Sequence, residues 1–392
     1  MMTTMIEARA TPLPHIAILA SPERIADEGS ATSRLAVALV AEGATVTLLD
    51  PLPERDPDAT QPERVRLDRR FELPRRVRYE ARVPFWRRRD RVQRLAAAFE
   101  RSAPDIIWSA GSDGWALATA LGEELDRPVA LEVRRRDDCD GAVRALRSDR
   151  VVALITPTPA LTREAQRLIG EQFVREVPMG VRLEESVLPR VGPPQVIAIL
   201  AEGRDERAFT ASLVAARAAL ERSPELLFTV EFPRNASAAL WRFARSLGLL
   251  DRITAIDARG GSALSMTAVR ACDVLLLPEP RGGPRAETLV ALARGVPIIA
   301  ATDPMADLLI DGETAILLPS GDQHARQWAD VLVALLAHPE QARGFAERGR
   351  SLVLARHRSA HVASLCLATV QDLLREGPVR FVTNGTNPAA AL

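Results

Sequence analysis

Two glutamates lie close to a pair of glycines in residues 275–300, LLLPEPRGGPRAETLVALARGVPIIA. Glu279 follows an apolar run, and Glu287, with seven residues between the two, falls in the first turn of a predicted helix. Carboxylates accept hydrogen bonds from hydroxyl groups, whereas a helix start beside glycines and a guanidinium suits a phosphate group. The segment therefore raises the question of whether it holds a sugar joined to a phosphate.

Alternating strand and helix patterns surround this segment and occur in two successive runs. The first opens with the apolar strand HIAILA, a predicted amphipathic helix and the strand TVTLLD, and the second restarts near residue 195. Such alternation predicts an α/β fold with two facing, Rossmann-like, doubly wound domains. Ligands of these sheets bind outside the carboxyl ends of the strands, which here means a cleft between the domains. We assign residues 1–188 to the first domain, 189–375 to the second and 376–392 to a flexible tail.

The composition excludes several classes of enzyme. All 51 basic residues are arginine, so no lysine exists for a Schiff base, for pyridoxal phosphate or for a P-loop. Any basic side chain that holds a phosphate must therefore be a guanidinium. Acidic residues also number 51, and this balance, with no nucleic-acid-binding motif, argues against a nucleic-acid partner.

Metal binding and membrane insertion are not predicted. The three cysteines are far apart in the chain, which excludes a CxxC zinc site. His357 and His361 lie four residues apart on a predicted helix but have no third ligand nearby in the sequence. The first residues lack the pattern of a signal peptide, and no apolar run is long enough to span a membrane. We expect a cytoplasmic protein.

The segment Arg64–Arg94 is strongly basic. It holds thirteen arginines against four acids, with four aromatic residues interleaved, including Phe85 and Trp86. One interpretation is a solvated, charge-rich surface. The other is a peripheral contact with the anionic inner face of a membrane or with an anionic polymer. Both interpretations remain open from the sequence.

The second half of the chain resembles the retaining glycosyltransferases of family 4, which have the GT-B fold. The resemblance is carried by RACDVLLLP, ARGVPIIA and DGETAILLPSGD, and VREVPMGV is similar to the hinge motif of that family. It extends over about residues 15 to 375 and is most specific in the second domain. It implies a nucleotide-sugar donor, retention of configuration, and neither a metal ion nor a cofactor.

The same resemblance implies roles for particular residues. The two glutamates would bind the donor sugar and its ribose and are the candidate catalytic residues, Glu279 and Glu287. The candidate ligands of the donor phosphates are Arg204, Arg207, Gly282, Gly283, Arg285 and Ala286. The acceptor, which could be a glycan, a lipid or a small molecule, would lie against the first domain.

The glutamate pair departs from the family's register. Counted from Pro278 and from the turn Gly295–Pro297, the family's glutamates would fall at Gly282 and Val290, three residues later than the pair found here. Three residues is almost one helical turn, about 4.5 Å of rise. The second glutamate is therefore also consistent with an acid that only stabilises a helix start.

The predicted acceptor-binding side also differs from the pattern of the family. The family's glycine-rich turn is reduced to Gly29, and its cleft histidine is replaced by Arg134, so that only His15 could supply an imidazole from the first domain. In the second domain, Phe232 and Arg234 stand where the family has a glycine turn, and we expect them to crowd a base or ribose.

Two functions follow from these observations. The first is a retaining, metal-independent glycosyltransferase. The second is a catalytically inactive GT-B protein that binds a nucleotide, a glycan or a partner protein, because a fold alone does not guarantee activity.

Overall fold

The computed structural model describes residues 13–52, 74–182, 195–201, 205–232, 238–257 and 262–377. Two parallel sheets with helices on both faces make up this part of the chain, and the predicted α/β architecture is confirmed. Most consecutive strands are joined by a crossover helix, which is the usual connection between parallel strands.

The first sheet has seven strands in the order β3-β2-β1-β4-β5-β6-β7. Its strands are β1 (His15–Ala20), β2 (Thr45–Pro51), β3 (Arg75–Tyr79), β4 (Ile106–Ala110), β5 (Val129–Glu132), β6 (Val151–Thr156) and β7 (Val174–Glu176). Its helices are α1 (Pro22–Ala41), α2 (Arg88–Ala97), α3 (Trp115–Leu125), α4 (Asp138–Ala145) and α5 (Pro159–Ile169). The strand order reverses between β1 and β4, and a crevice for ligands forms at such a switch.

The second sheet repeats this plan with six strands in the order β10-β9-β8-β11-β12-β13. Its strands are β8 (Val196–Ile199), β9 (Leu227–Phe232), β10 (Ile253–Asp257), β11 (Val274–Leu277), β12 (Ile298–Ala301) and β13 (Ile316–Leu318). The helices are α6 (Glu206–Arg222), α7 (Ala238–Ser246), α8 (Ser262–Ala271), α9 (Ala286–Arg294), α10 (Ala325–Ala337), α11 (Pro339–Arg356) and α12 (Ser359–Glu376). Its order reverses between β8 and β11, so the candidate segment after β11 starts at this second switch point.

Both faces of each sheet are buried, which explains the continuous apolar strands. In β1, Ala17 and Leu19 pack into one core while Ile16 and Ile18 pack into another on the opposite face. Successive side chains of a strand point to opposite faces, so a strand covered by helices on both sides has no polar face.

Helix α12 returns to the first domain, although the predicted boundaries place it in the second. Val362, Cys366 and Val370 are buried in the core that contains β1 and β4. The chain thus crosses between the domains twice. The boundaries themselves stay a prediction, and the segment between residues 183 and 194 lies outside the described residues. No helix among the described residues has an apolar stretch of the length needed to cross a membrane.

Candidate functional site

The β11–α9 loop (residues 278–285) is held in a fixed bend by one carboxylate. Asp303, which follows β12, accepts hydrogen bonds at Oδ2 from the backbone N–H groups of Arg281 (2.9 Å) and Gly282 (2.8 Å). Gly282 adopts φ +74°, a left-handed conformation that glycine reaches at little cost. The bend therefore depends on a glycine and on an acid from the neighbouring strand.

Glu279 connects this loop to helix α6. Its side chain is buried, and Oε2 accepts a hydrogen bond from the backbone N–H of Asp205 (3.1 Å). Its other oxygen lies 3.6 Å from Nη2 of Arg285, whose side chain is also buried. The carboxylate predicted to bind a donor sugar is thus engaged by the chain's own donors.

The start of α6 is capped by the chain itself. Asp205 is the N-cap residue, and its carboxylate accepts hydrogen bonds from the N–H groups of Arg207 (3.0 Å) and Ala208 (3.1 Å). The Arg207 side chain is exposed. Arg204 lies outside the described residues. The helix dipole attracts an anion to this position, but the Asp205 carboxylate already occupies it and would repel a phosphate.

The start of α9 differs, because its N-cap residue is Arg285, whose side chain makes no capping hydrogen bond. Arg285 and Arg281 are both buried here; Nη1 of Arg281 donates to the Pro284 carbonyl at 3.1 Å. Ala286, the first helical residue, is buried too. Two guanidinium groups and the positive end of a helix dipole therefore converge at the carboxyl end of β11.

Glu287 sits in the first turn of α9, and its side chain is buried. Burial raises the pKa of this carboxyl, and the positive charges of Arg281 and Arg285 oppose the rise. Glu231, at the end of β9, adds to it. Glu287 thus shares the buried surroundings of the two guanidinium groups at the start of α9.

The loop after β5 of the first domain closes over this site. The backbone N–H of Arg136 donates to the Gly282 carbonyl (2.8 Å). A Cβ atom built on Gly283 would lie 2.1 Å from the carbonyl oxygen of Arg134, so this position admits only glycine in the closed arrangement. Nearby, the carboxylate of Asp307 accepts a hydrogen bond from the N–H of Ala160 (2.7 Å), in the first turn of α5.

The Arg134 side chain is turned into the interior. Its guanidinium pairs with Glu132 (2.8 Å) and contacts the sulfur of Met179, in the segment that resembles the family's hinge motif. Burial lowers the pKa of Arg134, the Glu132 carboxylate opposes this, and the nearby charge of Arg281 lowers it further. Arg134 and Arg281 thus bring two like charges together at the boundary between the domains.

The space left at the site is small. A cavity of about 30 Å³ is lined by residues of the β11–α9 loop and by residues between 300 and 309. This volume holds one or two water molecules, whereas sites for small molecules commonly measure several hundred Å³. The cavity beside the α9 start is thus smaller than a site that holds a small molecule.

Most of the predicted site residues come together in the structure. Six lie at this domain boundary: Glu279, Gly282, Gly283, Arg285, Ala286 and Glu287, and the Arg134 backbone lies against them. Arg207 lies in the first turn of a different helix, α6. Sequence reasoning missed Arg281, Asp303 and Asp205, although an acid just before a helical pattern predicts an N-cap and could have indicated the last.

Three expectations need correction. Gly29 lies inside helix α1 and not in a turn. The helix begins seven residues earlier, at Pro22, because proline suits the first helical position. Phe232 does not crowd the site, because its ring is buried in the core between Phe209 and Trp241, stacked on the latter at 4.1 Å. Arg234 lies outside the described residues.

His15 is the third case. It is the first residue of β1, at the end of the sheet opposite the cleft, and it hydrogen-bonds to Thr47 (2.9 Å). Burial lowers its pKa, against a backbone contact with Ala103 that raises it. This imidazole is a buried structural group, and it cannot reach the domain boundary.

Comparison with known proteins supports the resemblance found in the sequence. Residues 268–368 match the family described as "Glycosyl transferase-like". No curated protein matches the chain.

Several solved structures share the fold over nearly their whole length. Sucrose-phosphate synthase from Thermosynechococcus elongatus is 18% identical, with a TM-score of 0.68, over 93% of this chain and 100% of that one. HepE of Anabaena, in complex with UDP and glucose, is 12% identical, with a TM-score of 0.66, over 91% and 99%. A glycosyltransferase from Rickettsia africae is 11% identical, with a TM-score of 0.68, over 94% and 100%. The predicted GT-B fold and the resemblance to glycosyltransferases of that fold are confirmed.

Proposed function

From the GT-B fold and the glycosyltransferase-like residues 268–368, we propose that this chain transfers a sugar from a nucleotide-sugar donor to an acceptor. We further propose that the reaction retains the anomeric configuration and uses no metal ion. The observation that best supports the proposal is the pair of buried guanidinium groups, Arg281 and Arg285, beside the start of α9. That start lies at the switch point of the second sheet, where α/β folds bind nucleotides.

The donor diphosphate would lie at the α9 start. Arg285 and Arg281 would provide charge-assisted hydrogen bonds, and the Gly282–Gly283 bend would let the phosphates approach the backbone closely. Arg285 now pairs with Glu279. The diphosphate would displace that carboxylate from the guanidinium, so the affinity for a donor includes the cost of breaking this ion pair.

Domain movement is part of this proposal. The contact of Gly283 with Arg134 closes the site, so a donor enters when the domains part and is enclosed when they return. Enclosure excludes water, which strengthens the electrostatic interactions of the guanidinium groups with the diphosphate. It also protects the donor from hydrolysis.

The proposed reaction needs little acid–base chemistry from the protein. An acceptor hydroxyl attacks the anomeric carbon on the face from which the diphosphate departs. The bond from that carbon to the phosphate oxygen breaks, and the acceptor proton passes to a departing phosphate oxygen. Arg285 and Arg281 stabilise the negative charge that develops on the leaving group. Such a route is compatible with the position of His15, far from the domain boundary.

The inactive GT-B protein is the second candidate, and particular contacts favour it. Asp205 caps α6 and Glu279 pairs with Arg285, so two carboxylates stand where a diphosphate would bind. The Glu279–Glu287 pair also lies three residues from the family's register. In this alternative the arginines would only stabilise the closed domains or bind a nucleotide without turnover.

Binding and turnover measured separately decide between the two. We would titrate the chain by calorimetry with UDP-, GDP- and ADP-sugars, beginning with UDP-glucose, since a neighbouring structure, HepE, was solved with it. Donor cleavage, followed by release of the nucleotide with and without a chelator, measures turnover. Binding with turnover supports the transferase, and binding without turnover supports the inactive protein. Absence of binding to every donor would contradict the donor site itself.

The anomeric configuration of the product, read by NMR, tests retention. The acceptor in this proposal is a glycan, a lipid or a small molecule. A cytoplasmic location is likewise part of the proposal, and fractionation of cells that produce the chain would test it.

A further inference from the structure

Two neighbouring aromatic side chains project into solvent from the first domain. Phe85 is 73% exposed and Trp86 is 68% exposed, more than any other large hydrophobic side chain among the described residues. Their rings meet edge to face at 5.0 Å, in a short 3₁₀ helix that leads into α2. Large apolar groups that stand together on a surface commonly mark a site of interaction.

Arginines surround this aromatic pair. Those with exposed side chains are Arg82, Arg87, Arg88, Arg89 and Arg94. Against them stand Glu80, which pairs with Arg87 and Arg94 at 3.8 Å each, and Asp90. The surface is therefore both aromatic and positively charged. We call residues 82–94 the basic aromatic patch; it is the described end of the predicted Arg64–Arg94 segment, whose residues 64–73 lie outside the described part.

The patch is mounted on folded structure. Arg91 donates from Nη1 to the carbonyls of Glu80 (3.1 Å) and Ala81 (2.7 Å), which ties the preceding loop to α2. Val92 and Leu95 are buried in the core of the first domain. The aromatic rings are thus held outward by a helix whose opposite face is packed, and they can be changed without removing core contacts.

The position of the patch relates it to the cleft. It follows the carboxyl end of β3, and Tyr79 at that end donates a hydrogen bond to the carbonyl of Ala20, the last residue of β1 (2.8 Å). In a parallel sheet all carboxyl ends lie at one edge. The patch therefore lies at the same edge of the first domain as the loops that face the second domain.

We propose that the basic aromatic patch docks the first domain on an anionic lipid surface. Tryptophan and phenylalanine insert at the boundary between lipid headgroups and acyl chains, and arginines beside them are attracted to anionic headgroups. A second copy of the chain fits less well, because two patches face to face would bring their arginines together. The proposal concerns attachment alone and holds whether or not the chain transfers a sugar.

Sedimentation with vesicles tests this proposal on the full chain. We expect binding to vesicles of phosphatidylcholine mixed with phosphatidylglycerol, little binding to phosphatidylcholine alone, and weaker binding as salt increases. Phe85→Ser with Trp86→Ser should lower the partition coefficient at least about tenfold. Arg87→Gln, Arg88→Gln and Arg89→Gln together should also lower it at least about tenfold and reduce its dependence on salt, because each arginine near the surface contributes about fivefold.

Control variants come from the second domain. Ile310→Ser with Leu354→Ser removes two exposed apolar side chains, and Arg326→Gln removes an exposed arginine. Both should bind vesicles as the unchanged chain does. Absence of binding to the anionic vesicles at low salt, or unchanged binding by the Phe85→Ser, Trp86→Ser variant, would overturn the proposal. So would a dimer in analytical ultracentrifugation that this variant converts to a monomer.

Discussion

Replacement of Gly283 by alanine should separate closure of the domains from their folding. The new Cβ would lie 2.1 Å from the carbonyl oxygen of Arg134, 3.2 Å from its carbonyl carbon and 3.3 Å from the Cα of Arg135. All three are backbone atoms, so no change of side-chain rotamer relieves the clash. Since Cβ atoms do not approach other heavy atoms within 3.0 Å, the two surfaces must move apart by at least 0.9 Å at this point.

The easiest response is a movement of one domain relative to the other, because the clashing atoms belong to different domains. The hydrogen bond from Arg136 to the Gly282 carbonyl, now 2.8 Å, would be lost or lengthened. The cores of both domains keep their contacts, so we expect little change in Tm. A misplacement of about 1 Å at a reacting centre can cost about a hundredfold in rate. We expect a fall of that order in kcat, with donor binding to the open form retained.

The assay combines donor turnover with amide hydrogen exchange. Exchange at the Arg136 amide should become faster in Gly283→Ala, because its acceptor moves away. Gly344→Ala on α11 is the matched control, since its Cβ would meet only side-chain atoms of Arg348, the nearest at 3.2 Å, and no backbone atom. If Gly283→Ala keeps both the exchange rate at Arg136 and the turnover of the unchanged chain, the closed contact has no part in the reaction.

Three further changes test individual side chains. Because burial raises the Glu287 pKa, the free energy of unfolding should fall as pH rises from the usual glutamate range through the raised value. Glu287→Gln should lessen this fall in thermal melts at several pH values. Donor turnover of this variant should stay unchanged if the carboxylate only stabilises the start of α9. Burial lowers the His357 pKa despite its contact with the Met179 carbonyl, so the free energy of unfolding should decrease as pH falls below 6.5 towards the lowered value. His357→Asn should make the free energy of unfolding less dependent on pH in this range. Phe232→Leu should lower the free energy of unfolding, measured with denaturant, by about 1–2 kcal/mol, because the ring packs in a core. Donor affinity should not change. Tighter donor binding would show that the ring obstructs the site after all.

The fold could be predicted because its information is local. Apolar runs such as HIAILA and the helical patterns between them recur at regular spacing, and parallel sheets allow few orders for such a chain. The path of α12 could not be read in this way. The sequence pattern predicts an apolar face on α12 but does not indicate which domain buries it, because the contact of Cys366 with the first core joins parts of the chain that are far apart in sequence.

The candidate site was predicted in part for the same reason. The Gly282–Gly283 bend and Arg285 lie in one short motif, so their proximity follows from chain connectivity. The covering of this bend by Arg134 and Arg136 depends on how two domains meet, which no periodic pattern encodes. Phe232 was misplaced because a residue at the end of a strand points to either face, and the alternation of β9 decides which.

A diphosphate site at the α9 start, where Arg285 pairs with Glu279, is the centre of the account. A buried pair is best removed as a pair, since loss of one partner leaves a buried charge that costs about 3–5 kcal/mol. Glu279→Gln with Arg285→Gln does this at constant net charge, and Arg326→Ala removes an exposed arginine as the control.

Calorimetric titration of these variants with UDP is the most direct measurement. We expect UDP to bind the unchanged chain and the Arg326→Ala control alike, and to lose at least about tenfold in affinity for the double variant, since a charge-assisted hydrogen bond contributes about 1.5–3 kcal/mol. Equal affinity for all three proteins, with the double variant folded, would place the diphosphate elsewhere and contradict the account.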